Sequence, residues 1–449
     1  VVALQACGML ANQANQITQL KSFHIGRALH LDARMNGFHS HHLVVSALIS
    51  MYTKCGSLFD AEQVFNEMSG SNVAIWNVML RVYLENDQSE KVLHLYKLML
   101  EKCIGIDETT LFIVLQACSE VGSLDICKEV HFIMVSSLSD VSLSMLTTLI
   151  NAYGSCASMP DAKDVFQRLP RHDVVSWNAM IIGYVEQGFY NEALGCLQYM
   201  QLDDVLPNVV TYICTLKACS IIKNMGQGQE IHAEIVNRGL FESDVVLGNA
   251  LLDMYAKCGF LHDAKRIFDL LLIRDEIAWN VLMEGYVDHG HSEEVLSCFK
   301  AMKLHGVLPS PVTFVSVLKA CGELKDTDKG DEIHADIIRH GLLQTDSFLG
   351  SALIDMHIKQ GLPARAQEVF DKLVMRNVVS FNVIIGAYVE QGHGEEALQH
   401  LENMHCEHIS PNATTLTCSL KACGSIGARD RGQKLHSYII TKGLLESDE

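Results

Sequence analysis

Fifteen cysteines, twenty-one histidines and fifty-three carboxylates give this 449-residue chain ample material for metal, nucleophilic or acid–base chemistry, so spacing decides what they can do. Zinc and dithiol redox sites need ligands paired a few residues apart, and no Cys-x-x-Cys occurs. His232-Ala233-Glu234 matches the first half of a zinc-deaminase signature, in which a glutamate moves protons beside a metal-bound hydroxide. No Pro-Cys-x-x-Cys follows, and a sister stretch reads His334-Ala335-Asp336, so the motif is a repeated helix pattern. No Ser, His and Asp set has the context of a nucleophile elbow. Twelve of the fifteen cysteines share positions with one another (Cys118, Cys219, Cys321 and Cys423 form one such set) and read as small apolar fillers. No catalytic residue, metal or cofactor is expected. What is left is a row of amides: Asn77, Asn178, Asn280 and Asn382 follow Trp76, Trp177, Trp279 and Phe381 at spacings of 101, 102 and 102 residues. An amide both donates and accepts, so it can read a polar edge; it can equally cap a helix or pack between neighbours.

The elements that position these amides follow from the same beat. Within one period, residues 174–208, 209–244 and 245–275 form units of 35, 36 and 31 residues. The ruler yields thirteen units: 1–41, 42–72, 73–107, 108–142, 143–173, 174–208, 209–244, 245–275, 276–310, 311–346, 347–377, 378–412 and 413–448. Only the first is irregular. Its Cys7-to-His30 gap is 23 residues where Cys219 to His232 spans 13, which an insertion around 11–20 explains. In 174–208, Trp177, Met180, Ile181 and Tyr184 make one apolar stripe of a first helix, and Gly188 breaks it. Ala193, Leu194, Leu197 and Met200 face inward on a second helix, and Pro207 closes the unit. A lone hairpin cannot bury both faces, so the units must stack into an all-α solenoid.

Composition agrees. Half the residues are apolar, too many for a disordered chain, and no apolar run approaches the roughly 18 to 20 residues that span a bilayer, so the chain is expected to be soluble. The net charge of −19 argues against a generic basic nucleic-acid binder. Val1 opens the chain without an initiator Met or a leader, as an internal fragment of a longer protein would.

The openings Val-Val-Ser-Trp-Asn-Ala-Met-Ile-Ile-Gly-Tyr (174–184) and Val-Val-Leu-Gly-Asn-Ala-Leu-Leu-Asp-Met-Tyr (245–255) closely resemble pentatricopeptide repeat proteins. The rotation of 35-, 36- and 31-residue units resembles the plant PLS subclass. P-type units are then 73–107, 174–208, 276–310 and 378–412. L-type units are 1–41, 108–142, 209–244, 311–346 and 413–448; S-type units are 42–72, 143–173, 245–275 and 347–377. The resemblance implies a right-handed superhelix that binds single-stranded RNA at one base per repeat, through each unit's fifth and last residues. Carried over, Ser46/Asn72 and Ser351/Asn377 imply A, Asn77/Asp107 and Asn249/Asp275 imply U, and Thr147/Asp173 implies G. Asn280/Ser310 implies C, and Asn178/Asn208 and Asn382/Asn412 imply C over U. Phe112, Ile213 and Val315 in L-type units cannot read a polar edge, whereas Thr417/Asp448 could. The implied target is 5′-A-U-n-G-Y-n-U-C-n-A-Y-n-3′, where Y is a pyrimidine and n is unread. Lys54, Lys257 and Lys359, and Lys217, Lys319 and Lys421, share positions from which they can touch phosphates. Glu85, Glu186, Asp288 and Glu390 stand at the P-type equivalent of the first three.

The subclass implies a mitochondrial or chloroplast C-to-U RNA editing factor. Its deaminase domain lies beyond this chain or is recruited, and MORF/RIP editing cofactors bind its L-type units. An RNA stability, processing or translation factor is the alternative within the same groove. A protein-binding helical scaffold is the alternative of another class.

Overall fold

The computed structural model describes residues 1–12, 16–38, 41–68, 72–137, 141–241, 244–344 and 346–441. Among them lie twenty-six α-helices and no strand, two helices within each of the thirteen intervals. The chain divides into two compact bodies, Val1–Ala218 and Cys219–Glu449, each a stack of helical hairpins. The boundary falls within one helix, Val209–Ile222, which belongs to both bodies. No described helix is long and apolar enough to cross a membrane.

The hairpin in 174–208 shows why these residues fold this way. Its first helix, Val174–Glu186, starts at Asp173, whose carboxylate accepts from the Ser176 backbone N–H while Ser176 Oγ accepts from the Asp173 N–H. This reciprocal cap satisfies two helix-end donors and is worth ~1 kcal/mol. Trp177, Met180 and Ile181 are buried on one stripe, and the second helix, Tyr190–Leu202, buries Ala193, Leu194, Leu197 and Met200 against it.

Between the two helices, the fifteenth residue of each unit after the first takes a left-handed conformation. Glycine occupies that place in eight units, and Asp87, Ala157, Lys223 and Lys325 occupy it in the other four. The irregular first unit has a longer second helix than its sisters. Its second helix, Gln16–Met35, has 20 residues, where its counterpart Met225–Asn237 has 13.

Within each body the aromatic residues at position four form the interior: Trp76 and Phe381 are wholly buried, and Trp177 and Trp279 nearly so. The cysteines at repeated positions are buried or half-buried as fillers, and all fifteen are free thiols. Second-helix histidines join one unit to the next. His30, His131 and His232 place Nδ1 at 2.9, 2.8 and 2.8 Å from the hydroxyls of Tyr52, Tyr153 and Tyr255. His232, the first residue of the deaminase-like tripeptide, is thus a packing residue.

Candidate functional site

The last residue of a unit is the N-cap of the next unit's first helix. Asn72 caps Val73–Glu85, Asp107 caps Glu108–Val121, Asp173 caps Val174–Glu186 and Asp275 caps Glu276–Asp288. Ser310, Asn377 and Asn412 cap Pro311–Leu324, Val378–Glu390 and Ala413–Ile426. Asn208 does the same for Val209–Ile222: its Oδ1 accepts from the Thr211 N–H and its own N–H donates to Thr211 Oγ1, both at 3.1 Å.

Capping decides which atom each last residue leaves over. The cap consumes Oδ1, so an aspartate keeps a second carboxylate oxygen, an acceptor. An asparagine keeps its NH2 group, a donor, although at Asn377 that group already donates to Ser347 Oγ at 3.0 Å. The amide orientation follows from the capped N–H and admits no flip.

The fifth residue lies one turn inside the first helix and reaches the cap that ends its own unit. Asn77 Nδ2 donates to Asp107 Oδ1 at 2.8 Å and Oδ2 at 3.1 Å; Asn178 Nδ2 donates to Asn208 Oδ1 at 3.1 Å. Asn249 reaches Asp275 at 3.2 and 3.3 Å, Asn280 reaches Ser310 at 3.4 Å, and Asn382 reaches Asn412 at 3.1 Å. Ser351 Oγ donates to its own helix at Ser347 O (3.0 Å) and lies 3.4 Å from Asn377 Oδ1. Thr147 turns its hydroxyl back to the Leu143 carbonyl at 2.9 Å.

These fifth-position side chains are largely covered: Asn77, Thr147, Asn178, Asn249 and Ser351 are all below a tenth exposed, and Ser46 is half-buried. The packing-amide role and a reading role therefore coexist in one side chain. The last residues are more open, with Asn72, Asp107, Asn208 and Asn412 exposed. Burial pushes the Asp107 carboxyl up, but hydrogen bonds from the Thr110 backbone N–H and the Asn77 amide outweigh that and hold it below the usual carboxylate range. Phe112, Ile213 and Val315 are half-buried and Thr417 is exposed; Asp448 lies outside the described residues.

Two groups of residues join this row that the sequence did not single out. Val175, Val210, Val246, Ile277, Val312, Phe348 and Val379, each the second residue of a first helix, are 43 to 67% exposed. They stand directly beside the caps and offer flat apolar contact. A bulky apolar residue off the buried stripe, recurring at one position, was the available signal. The second group is Thr110, Thr211, Thr313 and Thr415, whose hydroxyls donate to the carbonyls of Asn77, Asn178, Asn280 and Asn382 at 2.7, 2.6, 2.7 and 2.5 Å.

All six lysines expected at phosphates, Lys54, Lys217, Lys257, Lys319, Lys359 and Lys421, are exposed on first helices. Two are already paired in their own helices: Lys257 with Asp253 and Lys359 with Asp355, both at 2.9 Å. Glu85, Glu186, Asp288 and Glu390 are exposed too. The cations are therefore partly compensated before any ligand arrives.

Comparison with known proteins places this arrangement. Models of the PPR repeat family match residues 172–220, 274–323 and 376–425, and those of the PPR repeat match 44–73, 74–104, 144–174, 249–275 and 351–378. A mitochondrial pentatricopeptide repeat-containing protein of Arabidopsis thaliana is 33% identical over 439 residues, covering 97% of this chain and 62% of that one. A chloroplastic one from the same plant is 29% identical over 409 residues, covering 91% and 50%. The chain spans 41 to 62% of the length of eight such relatives. Among solved structures, the pentatricopeptide repeat protein PPR10 of maize, in complex with an 18-nucleotide psaJ RNA element, shares the fold. The TM-score is 0.71 at 18% identity over 96% of this chain and 65% of that one. With family models matching more than half of its residues, the chain belongs to the pentatricopeptide repeat family.

Proposed function

We propose that the chain binds single-stranded RNA in a sequence-specific way, one base per S- or P-type repeat, as the target-recognition part of an organellar C-to-U RNA editing factor. The observation that carries this reading is the repeated pairing of a mostly covered fifth residue with a more open N-cap, which leaves one defined donor or acceptor per unit. Where a base meets Asn77 and Asp107, an N–H and a carboxylate oxygen face it. That set matches the carbonyl and the N3–H of uracil. Where it meets Asn178 and Asn208, the outward atoms are N–H donors, which suit the N3 and O2 acceptors of cytosine. The exposed second residues supply contact to the base faces, and the exposed lysines supply contact to phosphates. That solved PPR10 is an RNA complex supports the same use of the fold.

The editing role rests on the resemblance of the 35-, 36- and 31-residue rotation to the PLS subclass. Location in a mitochondrion or chloroplast has support from relatives named for both organelles. A deaminase domain in cis or in trans, and MORF/RIP partners on L-type units, belong to the same proposal. The test is binding of the 12-mer 5′-A-U-n-G-Y-n-U-C-n-A-Y-n-3′ as single strand, as duplex and scrambled, at ~150 mM salt, where non-specific phosphate contacts are weak. Preference for the single-stranded target is expected; equal binding of the scrambled strand removes the specificity claim. Loss of one C-to-U conversion in plants lacking the protein, with transcript level unchanged, separates editing from a stability role.

A further inference from the structure

The two expected uracil readers, Asn77/Asp107 and Asn249/Asp275, have identical residues in different surroundings. At Asn77 the third residue of the next first helix is Thr110. Its hydroxyl accepts the Asp107 backbone N–H at 3.4 Å, which leaves its proton for the Asn77 carbonyl at 2.7 Å, the nearer of its two acceptors. Thr211, Thr313 and Thr415 repeat this, accepting the cap N–H of Asn208, Ser310 and Asn412 at 3.1, 3.1 and 3.2 Å. Because Asp107 can only accept, the Asn77 NH2 group must face it, and the threonine then holds the carbonyl on the opposite side.

At Asn249 the corresponding residue is Ala278, which has no hydroxyl. Asn249 Oδ1 is buried and has no hydrogen-bond partner, although the side chain is only 7% exposed. Ser176 and Ser380 stand at the same place beside Thr147 and Ser351. Their hydroxyls donate to the cap carbonyls of Asp173 and Asn377 at 2.9 and 2.8 Å, not to the fifth residue.

We propose that Thr110, Thr211, Thr313 and Thr415 are positioning residues that set base discrimination at the preceding unit's asparagine, and that Ala278 makes Asn249 the less discriminating of the two uracil readers. This rests on the RNA-binding reading above and deepens it. A carbonyl tied to threonine is withdrawn from the base, so the asparagine offers only an N–H. With the aspartate's acceptor, that pattern fits uracil and opposes the amino group of cytosine. The Asn249 carbonyl is buried where it stands, but with only Asp275 holding the amide it can swing outward to accept that amino group, and cytosine is then tolerated.

The experiment is a set of binding titrations with 12-mers carrying U or C at position two (Asn77) or position seven (Asn249). In the wild-type chain the preference for U over C is about 3- to 10-fold greater at position two, the worth of one net hydrogen bond. Ala278→Thr raises the preference at position seven by a similar factor, and Thr110→Val lowers it at position two. Thr110→Val also removes a capping partner, so Ser176→Ala serves as control: it loses the same cap and leaves the G preference at position four unchanged. Equal wild-type ratios at the two positions overturn the proposal without any variant. An Ala278→Thr chain that shifts U and C affinity together also overturns it, since the threonine then acts on stability alone. Absence of target binding by the wild type overturns the RNA-binding reading itself.

Discussion

At the scale of single residues, Thr147 tests whether the paired positions read a base. Its hydroxyl is spent on the Leu143 carbonyl, while Asp173 caps the next helix with its second oxygen left over. Thr147→Asn would bring an amide within reach of Asp173, the combination present at Asn77/Asp107. The fourth target base is expected to change from G toward U, by roughly 5- to 150-fold in relative affinity, the usual span for a mismatched hydrogen-bonding site. Paired titrations against RNAs differing only at that base check it; identical ranking of G and U by both proteins would show that residue 147 does not face the base. Helicity is expected to stay unchanged, because the cap at Asp173 is left intact.

At the scale of elements, the hairpin bend and the unit-to-unit histidines carry testable strain. Ala157 holds φ at 58° where most sister units have glycine. A side chain there costs about 1–2 kcal/mol, partly offset by the greater freedom glycine has when unfolded. Ala157→Gly should therefore stabilise the chain by ~0.5–1 kcal/mol, read as a higher urea midpoint.

His357 replaces the tyrosine that meets the second-helix histidine in three sister units, and faces His334 at 3.3 Å. It is wholly buried and its Nδ1 has no partner. Burial first, then the neighbouring His334, push its pKa down to about 4; Asp331 acts in the opposite direction and Arg365 in the same one. Burial lowers His334 as well. A histidine depressed in the folded state leaves stability intact above about pH 6.5 and withdraws it as pH falls toward 4. His357→Tyr should restore the sister pairing and recover up to ~2 kcal/mol of stability at pH 5, with a much smaller change from this source at pH 7.5. Urea midpoints of both proteins at the two pH values measure this, and an equal gain at both would exclude titration as the cause.

At the scale of the whole molecule, a net charge of −19 and exposed acids beside the lysines make phosphate attraction weak. Affinity should therefore depend on salt only gently. Asp253→Asn with Asp355→Asn releases Lys257 and Lys359 from their 2.9 Å ion pairs. Each lysine that then reaches a phosphate should steepen the slope of log affinity against log salt by ~0.7. Titrations between 50 and 300 mM salt test it; an unchanged slope would place these two lysines away from the RNA.

Much of this was legible in the sequence, because a repeat that must bury one stripe per helix writes its period into the apolar positions. The hairpin boundaries, the buried Trp76 and Phe381 and the filler cysteines all follow from the 102-residue beat, whereas the pairing of Asn77 with Asp107 came only from the family resemblance. The caps at Asp173 and Asn377 are local too, each closed by a serine three residues on, but the sequence alone pointed to capping at Asn77 and its sisters instead. What only the tertiary structure decided lies between units. Asn77 and Thr110 are 33 residues apart, and nothing in either helix alone reveals that one hydroxyl fixes the other's amide. The same holds for the carbonyl of Asn249 left without a donor by Ala278. Periodicity determines which face a residue occupies; only the stacking of neighbours determines which atoms of that face are already bonded and which remain for a ligand.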